Sequence, residues 1–261
     1  MRLYQIDAFT DKLFSGNPAA IVPLDSWLPD ELMQTIALEN NLPETAFIVP
    51  KENNIFHIRW FTPTIEVDLC GHATVAAAHV FYEHLGYKLA EITFDSRSGL
   101  LKVRREDGMY VLNFPTDSLT KANEYNGEFS KILNTNVLET WRGKTDYMVV
   151  LANEAAVANL NPDFNLLKKA PARGLIATAK GGEVDFVSRC FFPQSGINED
   201  PVTGSAHTTM IPFWAERLTK NRLSAKQISA RGGELSCKYL GSRVEIAGKA
   251  VTYMIGDFIV P

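Results

Sequence analysis

Residues 71–81 read GHATVAAAHVF, a glycine and a histidine followed by residues that are almost all small or apolar. A helix made from this stretch has no polar face, and a helix that is apolar all round is buried. Residues 204–214 read GSAHTTMIPFW and begin in a similar way, although Pro212 is expected to kink that helix or delay its start. Two buried helices that each open with glycine predict a core around each of them.

The segments before these helices also repeat. Residues 55–63 and 184–193 both end in Arg-x-Phe-x-Pro; the two arginines are 130 positions apart, and Gly71 and Gly204 are 133 apart. The shared order predicts a tandem of two similar halves, residues 1–117 and 118–261, with the final strand a candidate to return to the first half. The predicted fold class is α+β, in which each half is a curved, mostly antiparallel sheet wrapped around a central helix.

Composition narrows the class of protein. The 261 residues are 46% hydrophobic and carry a net charge of −4, which is ordinary for a globular chain and unlike the basic face of a nucleic-acid binder. No stretch approaches 18 apolar residues, so we expect no contact with a membrane. The start has no apolar signal segment and the three cysteines are widely spaced, which predicts a cytoplasmic protein with reduced thiols.

The two glycine-led helix starts suggest a site for an anion. A helix N-terminus presents unpaired N–H groups and a partial positive charge, and glycine lets a ligand approach the backbone. Neither Gly71 nor Gly204 is followed by the Lys-Ser or Lys-Thr of a phosphate-binding loop, so a small anionic organic acid is a better match than a nucleotide. Close helix packing without a ligand is the alternative explanation of both glycines.

Four motifs, in order, give the chain a resemblance to the PhzF family of phenazine-biosynthesis-type isomerases, which shares its fold with diaminopimelate epimerase. The motifs are Ile6-Asp7-Ala8-Phe9 with Gly16-Asn17-Pro18, residues 41–47 (NLPETAF), Phe61-Thr62-Pro63 leading to Gly71-His72, and residues 199–206 (EDPVTGSA). The resemblance covers essentially the whole chain, but it does not fix the substrate.

The resemblance implies roles for particular residues. The catalytic residues of the family fall on Glu44, His72 and Asp200, and its substrate-contacting serine falls on Ser205. Asn17 and the backbone amides at Gly71 and Gly204 are further implied substrate contacts. The family also implies that no metal or organic cofactor is needed and that the chain forms a homodimer.

Each of these residues also has a structural explanation. Glu44 could be a solvated loop residue, His72 a capping or core histidine, and Asp200 and Ser205 caps of the helix that begins near Gly204. Epimerases of this fold use a cysteine before each glycine as paired bases. Here the first position is Cys70 but the second is Thr203, whose hydroxyl supplies no thiolate, so a two-cysteine racemisation is excluded.

These observations predict a cofactor-independent isomerase in which Glu44, in a cleft between the halves, moves a proton on a small carboxylic acid. Two alternatives stay open. One is a binding or regulatory protein that has lost catalysis, and the other is an epimerase or racemase that uses His72 or Asp200 as its second base.

Overall fold

The computed structural model describes residues 1–260, which form two compact units: the first contains residues 1–113 and 247–260, and the second contains Phe114–Ile246. Each unit has strands and helices, so the α+β class is confirmed. Among the described residues, no helix has both the length and the hydropathy needed to cross a bilayer.

The first unit contains nine strands and two helices. These are β1 (Arg2–Ala8), β2 (Asn17–Pro23), α1 (Asp30–Asn40), β3 (Glu44–Pro50), β4 (Ile55–Phe61), β5 (Glu66–Val67), α2 (Gly71–Glu83), β6 (Glu91–Ser96), β7 (Gly99–Glu106), β8 (Met109–Pro115) and, after the second unit, β18 (Ala250–Asp257). Strand β1 is antiparallel to both β18 and β2, β2 is parallel to β3, β3 is antiparallel to β4, and β4 is parallel to β6.

Helix α2 lies in the core of the first unit, because it has no polar face to present to water. Every residue from His72 to Phe81 is buried, and the helix packs against β1, β2 and β3. Full burial of a valine or phenylalanine side chain contributes about 1.5–3 kcal/mol, so Val75, Val80 and Phe81 hold the helix firmly in place. The N-terminus of the helix, with His72 in its first turn, is thereby fixed relative to the sheet.

The second unit contains nine strands and four helices. These are β9 (Thr120–Lys121), α3 (Asn126–Leu133), β10 (Glu139–Arg142), β11 (Tyr147–Val150), α4 (Glu154–Ala158), α5 (Phe164–Leu167), β12 (Leu175–Lys180), β13 (Phe186–Phe192), β14 (Ile197–Asp200), α6 (Gly204–Leu218), β15 (Arg222–Gln227), β16 (Gly233–Tyr239) and β17 (Arg243–Gly248). Strand β11 is parallel to β12, β12 is antiparallel to β13, and β13 is parallel to β15.

Pro212 does not delay helix α6, which begins at Gly204, so that part of the sequence expectation is wrong. A proline inside a helix removes the N–H that would bond the carbonyl four residues earlier. That carbonyl belongs to Thr208, and it accepts instead from the backbone N–H of Asp117 at 3.2 Å. The N–H of Asp117 therefore replaces the helical N–H that Pro212 lacks as the hydrogen-bond donor to the Thr208 carbonyl.

Candidate functional site

Glu44 is the first residue of β3 and reaches its position through a tight turn. Helix α1 ends at Asn40, and Asn41 adopts a left-handed conformation with φ of 49° that turns the chain back toward the sheet. The Asn40 side-chain amide donates to the Thr45 hydroxyl at 3.1 Å, which ties the helix end to the strand start. The Glu44 side chain is only 14% exposed, so the sequence-based alternative of a solvated loop residue is wrong.

His72, in the first turn of α2, faces this carboxylate. Its Nε2 atom lies 3.0 Å from Oε2 of Glu44. The two atoms form an ion pair when His72 is protonated, and neither forms a hydrogen bond with any other of residues 1–260. Buried polar atoms are nearly always hydrogen-bonded, so an acid and an imidazole in contact with no further partner make this place the candidate site.

The other ring nitrogen of His72 is held by two side chains. Nδ1 lies 3.2 Å from the Asn17 amide nitrogen and 3.5 Å from the sulfur of Cys70. The Asn17 side chain is oriented with its NH2 group toward Nδ1. With this orientation Nδ1 accepts a hydrogen bond, and the single ring proton of neutral His72 is on Nε2, toward Glu44. Asn17 therefore sets which nitrogen of His72 carries the proton.

A strained loop places Asn17 at the start of β2. Phe9 and Phe14 both have positive φ, 62° and 66°, which is unusual for bulky residues. Gly16 has φ of 69°, and a Cβ there would collide with the carbonyl oxygen of Ala8. The Phe14 N–H donates to the carboxylate of Asp7 at 3.1 Å, which helps to hold the loop. Strain of this kind is concentrated at functional sites.

The charges in this cluster affect one another. Burial lowers the pKa of His72, but the negative charge of its neighbours outweighs burial and the pKa is raised well above its ordinary value. Burial raises the pKa of Cys70, and the nearby Glu44 carboxylate raises it further. The neighbours whose negative charge favours the His72 imidazolium are Cys70 first and Glu44 second.

Glu44, Cys70 and His72 also include donors that a metal ion could use, since one donor atom from each lies within 4.8 Å of the others. A sulfur, a nitrogen and a carboxylate oxygen are a set that zinc accepts. The sequence has no zinc-type ligand spacing and predicted no metal; the proximity arises from the fold, because β3 begins where α2 begins.

The remaining predicted residues lie in the second unit. Asp200 ends β14, and its carboxylate accepts from the Thr203 hydroxyl at 2.6 Å. Gly204 is the first residue of α6, and Ser205, next to it, is exposed. The structure therefore groups Glu44, His72, Asn17 and Gly71 in the first unit, and Asp200, Gly204 and Ser205 in the second.

Sequence reasoning missed Arg173 and Asp146. An Arg173 terminal nitrogen lies 3.3 Å from the Ser205 hydroxyl, and its guanidinium forms two bonds to Asp146. The repeat carried a signal, because Arg173 and Gly174 stand where Pro43 and Glu44 stand when the offset of 130 residues is applied. Only this alignment of the two repeats shows that Gly174 replaces Glu44 and that an arginine, Arg173, precedes it.

Comparison with known proteins defines the class. An isomerase of Pseudomonas aeruginosa is 49% identical over 256 residues, which is 98% of this chain and 97% of that protein. The crystal structure of a PhzF-family phenazine biosynthesis protein from Enterococcus faecalis is 44% identical, covers 99% of both chains and gives a TM-score of 0.94. A hydroxyproline epimerase structure from Agrobacterium vitis, at 11% identity, 98% and 91% coverage and a TM-score of 0.61, shares the fold alone.

With relatives of this kind, the chain is an isomerase. The model of the phenazine biosynthesis-like (PhzC-PhzF) family matches residues 6–256, and the chain belongs to that family.

Proposed function

We propose that this isomerase moves a proton on a small carboxylic acid, without a cofactor, and that Glu44 is the general acid and base. The observation that carries the proposal is the 3.0 Å approach of Glu44 Oε2 to His72 Nε2, two buried atoms with no other hydrogen-bond partner within residues 1–260. A positioned general acid–base contributes about 10²–10⁴-fold to a rate.

The proposed reaction is a proton shift that uses one base. Glu44 removes a proton from a substrate carbon, and the electron pair left behind moves into the adjacent conjugated system. The His72 imidazolium and the amides at the start of α2 stabilise the developing negative charge. Protonated Glu44, whose acidic proton can exchange with water, then delivers one proton at a second position, so that one proton leaves and one is added.

The second unit supplies an argument against a two-thiol mechanism. Thr203 occupies the place of the second cysteine, and its hydroxyl already donates to Asp200. Cys70 is buried with a raised thiol pKa, which makes it a poor nucleophile or base near neutral pH. If the protein were an epimerase, it would need Glu44 and a second base that is not a cysteine. Inversion of a stereocentre in the product would identify an epimerase.

The proposal extends to the origin of the site by duplication. In the first unit the order of pairing from β2 to β6 is parallel, antiparallel, parallel, and the order from β11 to β15 in the second unit is the same. Each antiparallel pair contains an arginine, Arg59 or Arg189, that forms two bonds to a glutamate further along the chain. These matches support two copies of one ancestral unit.

We also infer a homodimer. Phe14 and three consecutive residues of β18, Tyr253, Met254 and Ile255, are exposed apolar side chains, and the rings of Phe14 and Tyr253 are 5.6 Å apart. Exposed apolar side chains that lie together, as Phe14 and Tyr253 do, are typical of protein–protein contacts, and a second copy of this chain is the partner we propose.

The test of the activity is proton exchange in heavy water. Wild-type protein is incubated with a panel of cyclic and amino carboxylic acids in D2O, and loss of C–H signals is followed by proton NMR. For any acid that exchanges, Glu44→Gln should lower the rate by about 10²–10⁴-fold. Glu39→Gln, which changes an exposed glutamate of α1, is the matched control and should keep the wild-type rate.

Several outcomes would count against the proposal. Full exchange by Glu44→Gln would remove Glu44 as the base. Binding of acids with no exchange would favour the ligand-binding protein, and deuterium uptake with inversion would favour the epimerase. Exchange that stops after dialysis against EDTA and returns with zinc would contradict the cofactor-free reaction.

A further inference from the structure

The second unit holds an arginine that is fixed in place and partly exposed. Arg173 Nε donates to Oδ1 of Asp146 at 3.0 Å, and a terminal nitrogen donates to Oδ2. The Asp146 side chain is 5% exposed, whereas that of Arg173 is 43% exposed. The guanidinium also lies over the ring of Phe192, with Cζ 5.0 Å from the ring centre. A buried acid on one edge and an aromatic face thus fix a cation whose other edge meets solvent.

The solvent-facing edge of the Arg173 guanidinium has N–H groups that are available to a ligand. The terminal nitrogen that bonds Asp146 also donates to the Ser205 hydroxyl at 3.3 Å. The second terminal nitrogen forms no hydrogen bond with any of residues 1–260. An arginine presents five N–H groups in a flat fork that matches a carboxylate. A purely structural pair with Asp146 would use only the edge already occupied.

Arg173 also stands where the first unit has its acid. Ala177 pairs with Arg189 in the second unit as Phe47 pairs with Arg59 in the first. Three residues before Phe47 is Glu44, and three residues before Ala177 is Gly174, the neighbour of Arg173.

The glycine at that place is required by packing. A Cβ on Gly174 would collide with the ring of Phe192, the same ring that supports the Arg173 guanidinium. No side chain can therefore occupy the equivalent of Glu44, and the adjacent residue supplies a cation instead.

The contacts with the two helix starts are also equivalent. Glu44 faces His72, the second residue of α2, and Arg173 faces Ser205, the second residue of α6. One unit presents an acid with an imidazole, and the other presents a guanidinium with a hydroxyl.

We propose that Arg173 is a substrate-binding residue that takes a carboxylate group of the substrate, with the Ser205 hydroxyl as the second donor. The inference rests on the proposed function, because a small carboxylic acid is the class of ligand proposed there. It assigns the two units different tasks: the first carries the base, and the second selects an anion.

The test uses a matched pair of probes, cyclohexanecarboxylate and cyclohexanecarboxamide, which differ in charge and little in shape. Binding to the full chain is measured by isothermal titration calorimetry. Arg173→Gln alone leaves a buried acid without its partner, so the main variant is Arg173→Gln combined with Asp146→Asn, which removes both charges. Arg222→Gln, at an exposed arginine of the same unit, is the control.

We expect the wild type and Arg222→Gln to bind the carboxylate at least about tenfold more tightly than the amide, because hydrogen bonds between charged groups are the stronger ones. The double variant should lose that preference and keep its affinity for the amide. Arg173→Lys should keep part of the preference for the carboxylate, since lysine keeps the positive charge but lacks the paired N–H groups of the guanidinium. The unfolding midpoint of each variant shows that the fold is retained.

A wild type without preference for the carboxylate, or a double variant that keeps the preference, would overturn the inference. The two proposals fail separately. Exchange that persists in Glu44→Gln contradicts the base and leaves the Arg173 site intact, because that site is judged by the carboxylate preference of the double variant. Carboxylate binding that is lost in Glu44→Gln and kept in the double variant contradicts the Arg173 site alone.

Discussion

At the scale of single residues, the candidate site depends on where His72 carries its protons. Neutral His72 needs only one ring proton, and the Asn17 amide at 3.2 Å from Nδ1 directs that proton to Nε2. The imidazolium has a proton on both nitrogens, so Nδ1 must then meet an acceptor, which the Asn17 carbonyl oxygen supplies if the amide turns over. The protonation state of His72 and the orientation of Asn17 are therefore coupled, and both respond to the charge on Glu44.

The first prediction concerns this coupling. In wild type, negative charge beside the buried ring raises the pKa of His72. Glu44→Gln removes the carboxylate's part of that charge while burial remains, and burial disfavours the imidazolium, so the pKa of His72 should fall from its wild-type value. The measurement is a pH titration of the histidine ring carbons by NMR, with His72→Asn used to assign the signal.

Glu39→Gln serves again as the control and should leave the His72 titration where it is in wild type. If Glu44→Gln has no effect on the His72 titration, the two side chains do not interact in solution. The account of charge stabilisation by His72 would then have to be abandoned.

At the scale of elements, the helix starts were the part of the fold that sequence reasoning reached most directly. The apolar run after His72 predicts a buried helix, and α2 is buried from His72 to Phe81. The effect of Pro212 was judged wrongly because the compensating donor, the N–H of Asp117, comes from 91 residues earlier in the chain. A local pattern cannot reveal a partner that only the folded chain brings near.

The same limit applies to the candidate site. Glu44 and His72 were predicted from a resemblance, and their contact depends on β3 beginning beside the start of α2. Arg173 was missed because its role depends on Asp146, and the two meet only through the parallel pairing of β11 with β12, in which Tyr147 pairs with Leu175. The register between β11 and β12 is set by tertiary packing, so the sequence of either strand alone does not predict it.

A second prediction belongs to helix α6. His207 is fully buried, its Nδ1 donates to the Thr203 carbonyl at 2.8 Å, and burial lowers its pKa to about 4. In the unfolded chain a histidine titrates near 6.5, so between pH 6.5 and 4 only the unfolded state gains the proton. The free energy of unfolding should therefore be constant above about pH 6.5 and fall by about 3 kcal/mol on this account by pH 4.

Urea unfolding at pH 7 and pH 4.5 tests this expectation. His207→Asn keeps an amide donor for the Thr203 carbonyl but cannot titrate, so its stability should fall less steeply over the same interval. Burial also lowers the pKa of His79 to about 4, which leaves part of the slope in the variant. Equal slopes in wild type and His207→Asn would show that His207 does not remain neutral in the folded protein.

At the scale of the whole molecule, the inferred homodimer is the property with the clearest observable. The apolar side chains of Phe14, Tyr253, Met254 and Ile255 are exposed on one compact unit. A stable interface buries about 800 Å² on each partner, and its centre is depleted of charge. A lysine introduced among these side chains would have to be desolvated for the two copies to meet.

The last prediction follows from that cost. Met254→Lys should convert a dimeric wild type into a monomer, with a dissociation constant raised at least about 100-fold, because an unpaired charge would be buried at the interface. Sedimentation velocity at several protein concentrations measures the change. Leu100→Lys, at another exposed apolar residue of the same unit, should leave the dimer unchanged. A monomeric wild type would refute the dimer itself, whereas a Met254→Lys dimer of wild-type affinity would refute this surface as the interface.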